Sequence, residues 1–519
     1  MRLEKLKLMC RGLAVLSLAS SSLAQAQLPE LEEIPNAPVV WLPSGAVRGS
    51  GSDVLSFKAI PYAQAPVGNL RWRPPVDAKP WVGILDGASF GPACIQAGDI
   101  RKSEDCLFVN VWAPKDAIAT RKKLPVMVWV YGGSFHQGSG NIDGSFLAQR
   151  GVVVVSMNYR VSTLGFLAHP QLSAESPEKV SGNYGILDIA QSLKWVNANI
   201  DRFGGDPTRV TIWGQSSGAS AITSLMASPK SKGLFHRAIL QSPGAFRHWK
   251  SLKQGEEDGS LLGADLVALR ALPENKVPVI QNTGGGTAIR ELSEPRVIGP
   301  VADGVVLPHE ERTTFEAGNM AQVGVLVGSN TDEGVAFTEK YPITTVDQYR
   351  KYLTDPKIFG SYGVEALAVY PVNADAQVKR AISMGFGDSQ FWLGTRGVAR
   401  AATRSGLPSY RYFFTRKENG GTGQDARHGA EIPYVMGSIK LTSAPYTADD
   451  VKISTAMGDA WIRFASTGNP NGGVINNWPA YDLVDEKVFV FDAQFGILNG
   501  PRNTELDFIG KFDSSIPAK

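Results

Sequence analysis

Long apolar runs alternate with amphipathic stretches through most of the chain. Apolar runs without polar interruption are typical of parallel strands that are buried on both faces. Between two such runs, apolar residues recur every three or four positions from Tyr184 to Ile200, which predicts a helix. The pattern predicts an α/β fold with a mostly parallel, doubly wound sheet and helices on both faces. The other predicted elements are a helix at Ala448–Ser466 and strands at Leu124–Tyr131, Val152–Tyr159, Val210–Trp213, Arg237–Ser242, Val323–Gly328, Ser409–Thr415 and Lys487–Asp492.

The strand that begins at Val210 runs directly into Gly214-Gln215-Ser216-Ser217-Gly218, a Gly-x-Ser-x-Gly sequence. Small and apolar residues continue from Ala219 to Met226 and suit a helix. A strand, this pentapeptide and a helix are together typical of a nucleophile elbow, in which the central serine occupies a sharp, strained turn. The helix N-terminus beneath the serine favours a developing oxyanion. Ser216 is therefore the candidate nucleophile.

A glycine-rich loop, residues 132–138, follows the predicted strand Leu124–Tyr131. Hydrolases built around such an elbow keep their remaining backbone donors for the oxyanion in a loop directly after a central strand. We therefore expect oxyanion donors in this loop rather than a plain turn.

A serine nucleophile needs a histidine as general base and a carboxylate that orients it, in the chain order serine, acid, histidine. Four of the six histidines either precede Ser216 or follow it without an intervening strand to carry the acid. His309, between Pro308 and two glutamates, is typical of a solvated turn. His428 follows a late strand and is the better candidate.

The acid is expected just beyond the strand Val323–Gly328, where sites of open α/β sheets collect. Asp332 and Glu333 both lie there. Adjacent side chains point in different directions, so only one of these two acids can face His428. The strand pattern alone does not choose between them.

The first residues differ in character from the rest. Four basic residues lie within the first eleven positions, an apolar run extends from Gly12 to Leu23, and Ala24-Gln25-Ala26 provides a cleavage site. The run is too short for a membrane anchor, and no cysteine follows the cleavage site to carry a lipid. Residues 1–26 are predicted to be a signal peptide, cleaved near Ala26, of a secreted or periplasmic protein, and residues 27–519 a single catalytic domain.

Charge and cysteine content agree with export. The predicted signal peptide holds four basic residues and one acid, a net +3, so the +3 of the whole chain leaves the mature protein near zero. The sequence has no stripe of basic residues interleaved with aromatic residues, which is the pattern that would predict nucleic-acid binding. Cys94 and Cys106 remain after cleavage, and in an oxidising compartment they favour a disulfide over a metal site. No metal-binding or phosphate-loop spacing is present, so neither a metal nor an organic cofactor is expected.

Taken together, these motifs resemble the type-B carboxylesterase and cholinesterase family of α/β-hydrolases over nearly the whole mature chain. The matching segments are Pro66-Val67-Gly68, Arg71-Trp72-Arg73-Pro74-Pro75, Ser103-Glu104-Asp105-Cys106-Leu107, Tyr131-Gly132-Gly133-Ser134-Phe135, Asn158-Tyr159-Arg160, Gly182-Asn183-Tyr184-Gly185, Phe203-Gly204-Gly205-Asp206-Pro207, the elbow, Phe235–Ser242, Asp332-Glu333-Gly334, His428-Gly429-Ala430-Glu431 and Gly468-Asn469-Pro470-Asn471.

The resemblance implies a role for each matching residue. Ser216 would be the nucleophile, Glu333 the acid and His428 the base. The oxyanion would be bound by the backbone N–H groups of Gly133, Ser134 and Ser217. A disulfide between Cys94 and Cys106 matches the first, short disulfide loop of the family.

Departures from the family pattern bear on the substrate. Gln215 stands where the family commonly has glutamate, so a negative charge is missing beside the nucleophile. The disulfide loop carries Arg101 and Lys102 but no aromatic residue that binds quaternary ammonium. With Arg247 beyond the elbow, this favours a neutral or carboxylate-bearing ester over a choline ester.

The sequence thus predicts a serine carboxylesterase that acts on a small-molecule ester. The same triad also suits a carbamate, amide or lactone hydrolase, and a non-catalytic binding module is an alternative of another class. The stretch from Lys250 to about Pro295 lacks strong strand patterns and is predicted to be a cap over the site.

Overall fold

A large twisted sheet runs through the computed structural model, which describes residues 38–281, 296–442 and 445–515. The predicted signal peptide, residues 1–26, lies outside these ranges. Pro38–Lys519 group into one compact unit by their internal contacts. The strands of the sheet are β1 (Ser50–Gly51), β2 (Val54–Pro61), β3 (Phe108–Pro114), β4 (Leu124–Val130), β5 (Val153–Met157), β6 (Gly205–Gln215), β7 (Arg237–Gln241), β8 (Gly324–Asn330), β9 (Ser409–Phe414), β10 (Lys487–Phe491) and β11 (Gly496–Asn499).

The strand order is β1-β2-β3-β5-β4-β6-β7-β8-β9-β10-β11. Neighbours from β5 to β10 pair in parallel, whereas β1, β2, β3 and β11 pair antiparallel at the two edges. The central strands are almost entirely buried because the chain between them returns over the sheet as helices. The predicted mostly parallel α/β sheet is confirmed.

Eight helices of at least eight residues are present in the described ranges. The N-terminal part of the predicted helix, from Tyr184, forms α1, and a short 3-10 turn follows at Ile200–Phe203. The eight helices are α1 (Tyr184–Asn199), α2 (Ser217–Ala227), α3 (Leu252–Ser260), α4 (Val346–Thr354), α5 (Asp375–Gly387), α6 (Leu393–Arg404), α7 (Ala448–Thr467) and α8 (Asn503–Ser514). Shorter helices lie at Lys115–Thr120, Ser145–Ala148, Ser162–Phe166, Pro170–Glu175, Leu266–Ala271, Glu311–Glu316, Val335–Thr338, Pro356–Phe359, Gly363–Val369, Glu418–Gly421 and Ile432–Val435, and a π-helical turn, Asp388–Trp392, joins α5 to α6.

Small strands lie outside the large sheet. Val39–Leu42, Gly45–Arg48 and Ile84–Asp86 form a three-stranded sheet. Two further pairs are Ala93–Cys94 with Lys102–Ser103 and Lys250–Ser251 with Val301–Ala302. None of the described helices is long and apolar enough to cross a membrane.

Strand register brings three chain segments together at one edge of the sheet. Gln215 at the end of β6 pairs with Gln241 at the end of β7, and Gln241 pairs with Gly328 in β8. The residues that follow these three strands therefore emerge side by side at their carboxyl ends, where sites of open α/β sheets form.

Three of the family segments take part in buried ion pairs. Arg71 pairs with Glu104, and Arg160 Nη2 lies 2.7 Å from Asp188 Oδ1. Arg71 also donates to the carbonyl of Leu272 at 2.8 Å. Because a buried charge is costly unless it is paired and hydrogen-bonded, these segments are explained by packing rather than by chemistry at the site.

The predicted cap contains helices and one short strand, Lys250–Ser251, where the structure describes it. It contains α3 and Leu266–Ala271, and residues 282–295 lie outside the described ranges. Ser162 connects this region to the glycine-rich loop, because its N–H donates to the Phe135 carbonyl at 2.7 Å and its hydroxyl donates to the Ile280 carbonyl at 2.8 Å. The described part of the cap thus packs beside the glycine-rich loop.

The loop after β7 is tied to the C-terminal helix through His248. Its Nε2 lies 3.6 Å from Asp513 Oδ1 in α8, and its Nδ1 lies 3.2 Å from Glu310 Oε2. These two carboxylates, Asp513 first, raise the pKa of His248 to about 9. A histidine in an unfolded chain has a pKa of about 6.5. Protonated His248 therefore stabilises the fold fully below about pH 6.5, and this contribution is lost as the pH rises through about 9.

We expect His248→Gln to lower the melting temperature at about pH 6 but to change it much less at about pH 10, where the wild-type ring is neutral. Thermal denaturation followed by circular dichroism at both pH values measures the difference. Equal losses at both pH values would show that the charge of His248 contributes nothing and that only its packing matters.

Candidate active site

Ser216 occupies the turn between β6 and α2. Its backbone has φ 58° and ψ −130°, a conformation that a residue with a side chain rarely adopts. A Cβ at Gly214 would lie 2.6 Å from the Val130 carbonyl oxygen, and a Cβ at Gly218 would lie 2.2 Å from it. Both flanking positions therefore have no room for a side chain and require glycine. The predicted strand, strained turn and helix are all present.

The glycine-rich loop passes close to this turn. A Cβ at Gly132 would lie 2.9 Å from Ser216 Cβ. Gly133 has φ 117°, and Ser134 has φ 54°. The Phe135 N–H donates to Ser217 Oγ at 3.2 Å. The three predicted oxyanion donors, on Gly133, Ser134 and Ser217, thus lie on two segments that are bound to each other.

His428 and Glu333 are in direct contact. His428 Nδ1 lies 2.6 Å from Glu333 Oε2, and the Glu333 side chain is completely buried. Glu333 Oε1 accepts hydrogen bonds from Ser242 Oγ and from the Asn330 N–H, both at 2.6 Å. Since a carboxylate accepts and does not donate when ionised, these contacts place the Nδ1 proton of His428 toward Glu333.

Asp332, the other acid that the strand pattern allowed, points elsewhere. Its Oδ1 accepts a hydrogen bond from the Ser383 hydroxyl, and burial raises its pKa. It lines a cavity of about 430 Å³ together with Arg380 and Asp425. Adjacent side chains do diverge here, and it is Glu333 that faces His428.

A second buried carboxylate lies behind Glu333. Glu431 accepts from Gln241 Nε2 at 3.0 Å and from Asn330 Nδ2 at 2.5 Å. Burial, and then the nearby charge of Glu333, raise the pKa of Glu431. Sequence reasoning assigned no role to Ser242, Asn330 or Glu431, although Ser242 and Glu431 belong to the matching family segments.

Aromatic rings cover the imidazole. Phe391, in the π-helical turn, stacks on His428 with a centroid distance of 4.2 Å and an interplanar angle of 28°. The Phe337 ring lies 5.4 Å from the imidazole. These rings exclude water from one face of His428, and a hydrogen bond is stronger in such surroundings. No sequence signal singled out either phenylalanine.

Gln215 contacts the other nitrogen of the imidazole. Its Nε2 lies 3.1 Å from His428 Nε2. The two ring nitrogens thus have Glu333 on one side and the Gln215 amide on the other. The sequence showed that a charge is missing at this position but not that the residue touches the histidine.

The basic residues considered for substrate binding separate in space. Arg101 donates to the Phe90 carbonyl at 3.2 Å, and Lys102 donates to the Gln96 carbonyl at 2.8 Å. Both contacts lie in or beside the loop that the structure closes with a Cys94–Cys106 disulfide. Arg247, in contrast, donates to Gln390 Oε1 at 2.5 Å, one residue before Phe391.

A model of the carboxylesterase family matches residues 36–509. The chain belongs to this family. It is 44% identical over 474 residues to fumonisin B1 esterase of Sphingopyxis macrogoltabida, with 87% of this chain and 86% of that protein covered. It is 32% identical to para-nitrobenzyl esterase of Bacillus subtilis strain 168, with 90% of this chain and 97% of that protein covered. A solved structure of a PNB esterase has a TM-score of 0.79 and 31% identity, and covers 91% of this chain and 100% of its own.

These similarities confirm two sequence predictions for this carboxylesterase: the resemblance to type-B carboxylesterases and the α/β-hydrolase fold. The protein is a carboxylic ester hydrolase, and its substrate is a small-molecule ester. Within the described ranges, no three His, Cys, Asp or Glu side chains cluster as metal ligands would.

The elbow geometry gives a test with a matched control. In Gly218→Ala the new methyl group would meet the Val130 and Tyr131 carbonyl oxygens at 2.2 and 2.6 Å. We expect this overpacking to cost about 1–3 kcal/mol and to displace Ser216. In Gly510→Ala, within α8, the nearest atom would be Leu393 Cδ1 at 3.6 Å, an ordinary contact. There alanine should stabilise by up to about 1 kcal/mol through its helix propensity. Urea denaturation and p-nitrophenyl butyrate hydrolysis of both variants measure the contrast, and equal behaviour would contradict the steric argument.

Proposed function

We propose that this carboxylesterase is an exported serine esterase that acts through Ser216, His428 and Glu333. The observation that carries the proposal is the 2.6 Å contact between His428 Nδ1 and Glu333 Oε2, beside the strained Ser216 turn. A serine hydroxyl is a weak nucleophile at its ordinary pKa, and a histidine held by a carboxylate supplies the base that it needs.

The chemistry follows from the positions of the protons. With its Nδ1 proton held by Glu333, neutral His428 carries its lone pair on Nε2. That nitrogen takes the hydroxyl proton as Ser216 Oγ attacks the ester carbonyl, and the imidazolium then protonates the departing alcohol. Water, activated by the same nitrogen, hydrolyses the acyl-enzyme and restores Ser216.

Charge that develops in the transition state is met by fixed groups. The oxyanion is bound by the backbone N–H groups of Gly133, Ser134 and Ser217, each donor being worth about 3 kcal/mol in sites of this kind. The buried carboxylate of Glu333 stabilises the imidazolium, and its bonds to Ser242 and Asn330 keep it oriented. The strain at Ser216 is supported by the close packing of Gly132, Gly214 and Gly218.

The proposed substrate is a neutral or carboxylate-bearing ester rather than a choline ester. The loop between Cys94 and Cys106 contains no aromatic residue to bind quaternary ammonium. Arg247 donates to Gln390, the residue that precedes Phe391, whose ring stacks on His428. The 44% identity to fumonisin B1 esterase makes fumonisin B1 a candidate substrate to test directly.

Loss of the nucleophile gives the first test. We expect the exported protein to begin at Gln27, to hydrolyse p-nitrophenyl butyrate and to gain one organophosphate adduct, whereas Ser216→Ala should lose activity by at least about a thousandfold and gain no adduct. Intact mass before and after the reagent reads the N-terminus and the adduct together. A folded wild-type protein that shows neither turnover nor an adduct would refute the catalytic proposal. A mature protein that still contains residues 1–26 would refute export.

The carboxylate-bearing substrate is tested with two esters of similar acyl length, p-nitrophenyl butyrate and p-nitrophenyl hemisuccinate. Since a charge-assisted hydrogen bond is worth about 1.5–3 kcal/mol, Arg247→Ala should lower kcat/KM for the hemisuccinate at least about tenfold more than for the butyrate. Arg101→Ala tests the disulfide loop in the same way. If the ratio of kcat/KM for the two esters is unchanged in both variants, a carboxylate-bearing substrate is rejected.

A further inference from the structure

Gln96, in the disulfide loop, is bound to the backbone of the glycine-rich loop. It is 4% exposed. Its Nε2 donates to the Gly138 carbonyl and its Oε1 accepts from the Gly138 N–H, both at 2.8 Å. The amide orientation is fixed by this pair of bonds, because the N–H needs an acceptor and the carbonyl needs a donor. Gln96 therefore holds Gly138 at two points, across a sequence separation of 42 residues.

The N–H that Gln96 binds belongs to the peptide group between Gln137 and Gly138, and this group packs directly against Gly133. A Cβ at Gly133 would lie 2.2 Å from the Gln137 carbonyl oxygen. The N–H groups of His136 and Gln137 donate to the Gly133 carbonyl at 3.1 and 3.2 Å. A displacement of the peptide group would therefore move Gly133, whose N–H is a proposed oxyanion donor.

Gly138 is also closely packed against the start of the loop. A Cβ at Gly138 would lie 2.5 Å from the Gly132 carbonyl oxygen and 2.3 Å from the Tyr131 ring. Gly132 in turn lies against Ser216, because a Cβ at Gly132 would lie 2.9 Å from Ser216 Cβ. Backbone thus packs on backbone from Gly138 to the proposed nucleophile, with no side chain between them to absorb a shift.

The disulfide loop holds Gln96 itself in place. The disulfide joins Cys94 to Cys106, and Gln96 Nε2 also donates to the Cys94 carbonyl at 3.0 Å. Lys102 Nζ donates to the carbonyls of Gln96 and Gly98 at 2.8 and 2.6 Å. Lys102, which the sequence placed among the candidate substrate-binding residues, thus contributes to the structure of this loop.

The precision of the oxyanion hole depends on such support. Backbone donors stabilise a developing oxyanion because they are oriented before the reaction begins. Loops are the more mobile parts of a fold, so donors on a loop need contacts with other segments to keep this orientation. Gln96 provides such a contact at the end of the glycine-rich loop that the sheet does not hold.

We propose that Gln96 is a positioning residue for the oxyanion hole: its two hydrogen bonds to Gly138 fix the peptide group on which Gly133 packs, and so align the Gly133 N–H. The inference rests on the proposed function, since it assigns to Gln96 an action on a proposed oxyanion donor. Because every ester passes through an oxyanion, the effect of Gln96 is the same for neutral and charged esters.

The test is the kinetics of Gln96→Met, which has a similar length but no amide. Oxyanion donors bind charge that develops in the transition state, so their misalignment lowers kcat and leaves KM nearly unchanged. We expect kcat for p-nitrophenyl butyrate to fall at least about tenfold, since a misplacement of about 1 Å costs about a hundredfold in active sites. The hemisuccinate should lose the same factor. A trifluoromethyl ketone, which forms a tetrahedral oxyanion with the serine, should bind more weakly by that factor.

Gln191→Met is the matched control. Gln191 is 8% exposed, and its Nε2 donates to Asp77 Oδ1 at 2.6 Å rather than to the glycine-rich loop. This variant loses a buried amide of the same kind and should keep the wild-type kcat and ketone affinity. Melting temperatures show that each variant is folded. If Gln96→Met does not fold, Gln96→Glu replaces it; a carboxylate oxygen then faces the Gly138 carbonyl, and kcat should fall in the same way.

Three results would overturn the inference. The first is an unchanged kcat in the folded Gln96 variant. The second is a rise in KM alone, or a loss confined to the hemisuccinate, either of which would place Gln96 in substrate binding. The third is an equal fall in kcat in Gln191→Met, which would show that loss of any buried amide has this effect.

Organophosphate labelling of the wild-type protein separates this result from the fate of the proposed function. A wild type that is labelled at Ser216, together with an unchanged kcat in the Gln96 variant, rejects the role of Gln96 alone. A wild type that is not labelled rejects the serine mechanism, and with it the oxyanion hole that Gln96 is proposed to align.

Discussion

The site depends on three backbone segments that meet around Ser216 more closely than side chains allow. Any Cβ at Gly132, Gly214 or Gly218 would lie within 3 Å of backbone or of Ser216 Cβ. This contact supports the strained serine and brings the glycine-rich loop beside the first residue of α2. The hydroxyl and the oxyanion donors are therefore positioned by the ends of β4 and β6, which are rigid because they lie in the middle of a parallel sheet.

Burial of the acid imposes a second requirement. A carboxylate that is removed from water must have its lone pairs satisfied, or it loses its charge. Glu333 meets this requirement with Ser242, Asn330 and His428, which come from three segments brought together by strand pairing. Glu431 lies behind it in the same network. Glu333 is thus held by residues at the carboxyl ends of the central strands, and no additional loop is needed to hold it.

The central strands and the nucleophile elbow could be predicted from the sequence, because both depend on a local pattern of residues. Apolar periodicity gave β4, β5 and β7 to β10 to within two residues because these strands are largely buried, whereas β6 begins at Gly205, before the predicted Val210, in a stretch that is only partly buried. The elbow was recognisable because Gly214 and Gly218 have no sterically possible substitute. The choice between Asp332 and Glu333 depends on the direction of two adjacent side chains, which strand periodicity does not encode; the family resemblance was needed to make it. The contact of Gln215 with His428 joins residues 213 positions apart, and Phe391 lies in a π-helical turn that has no local signature.

The backbone also joins the acid and the base. The Asp332 N–H donates to the Ala426 carbonyl at 2.8 Å, and Asn330 Nδ2 donates to the Arg427 carbonyl at 2.8 Å. The segment from Val335 to Asp425 therefore begins and ends beside these two hydrogen bonds. Helices of this segment that do not contact the imidazole can change in length without moving Glu333 relative to His428. Phe337 and Phe391, which cover the imidazole, belong to the same segment, so only the surroundings of the site away from these two rings can vary while the catalytic residues keep their positions.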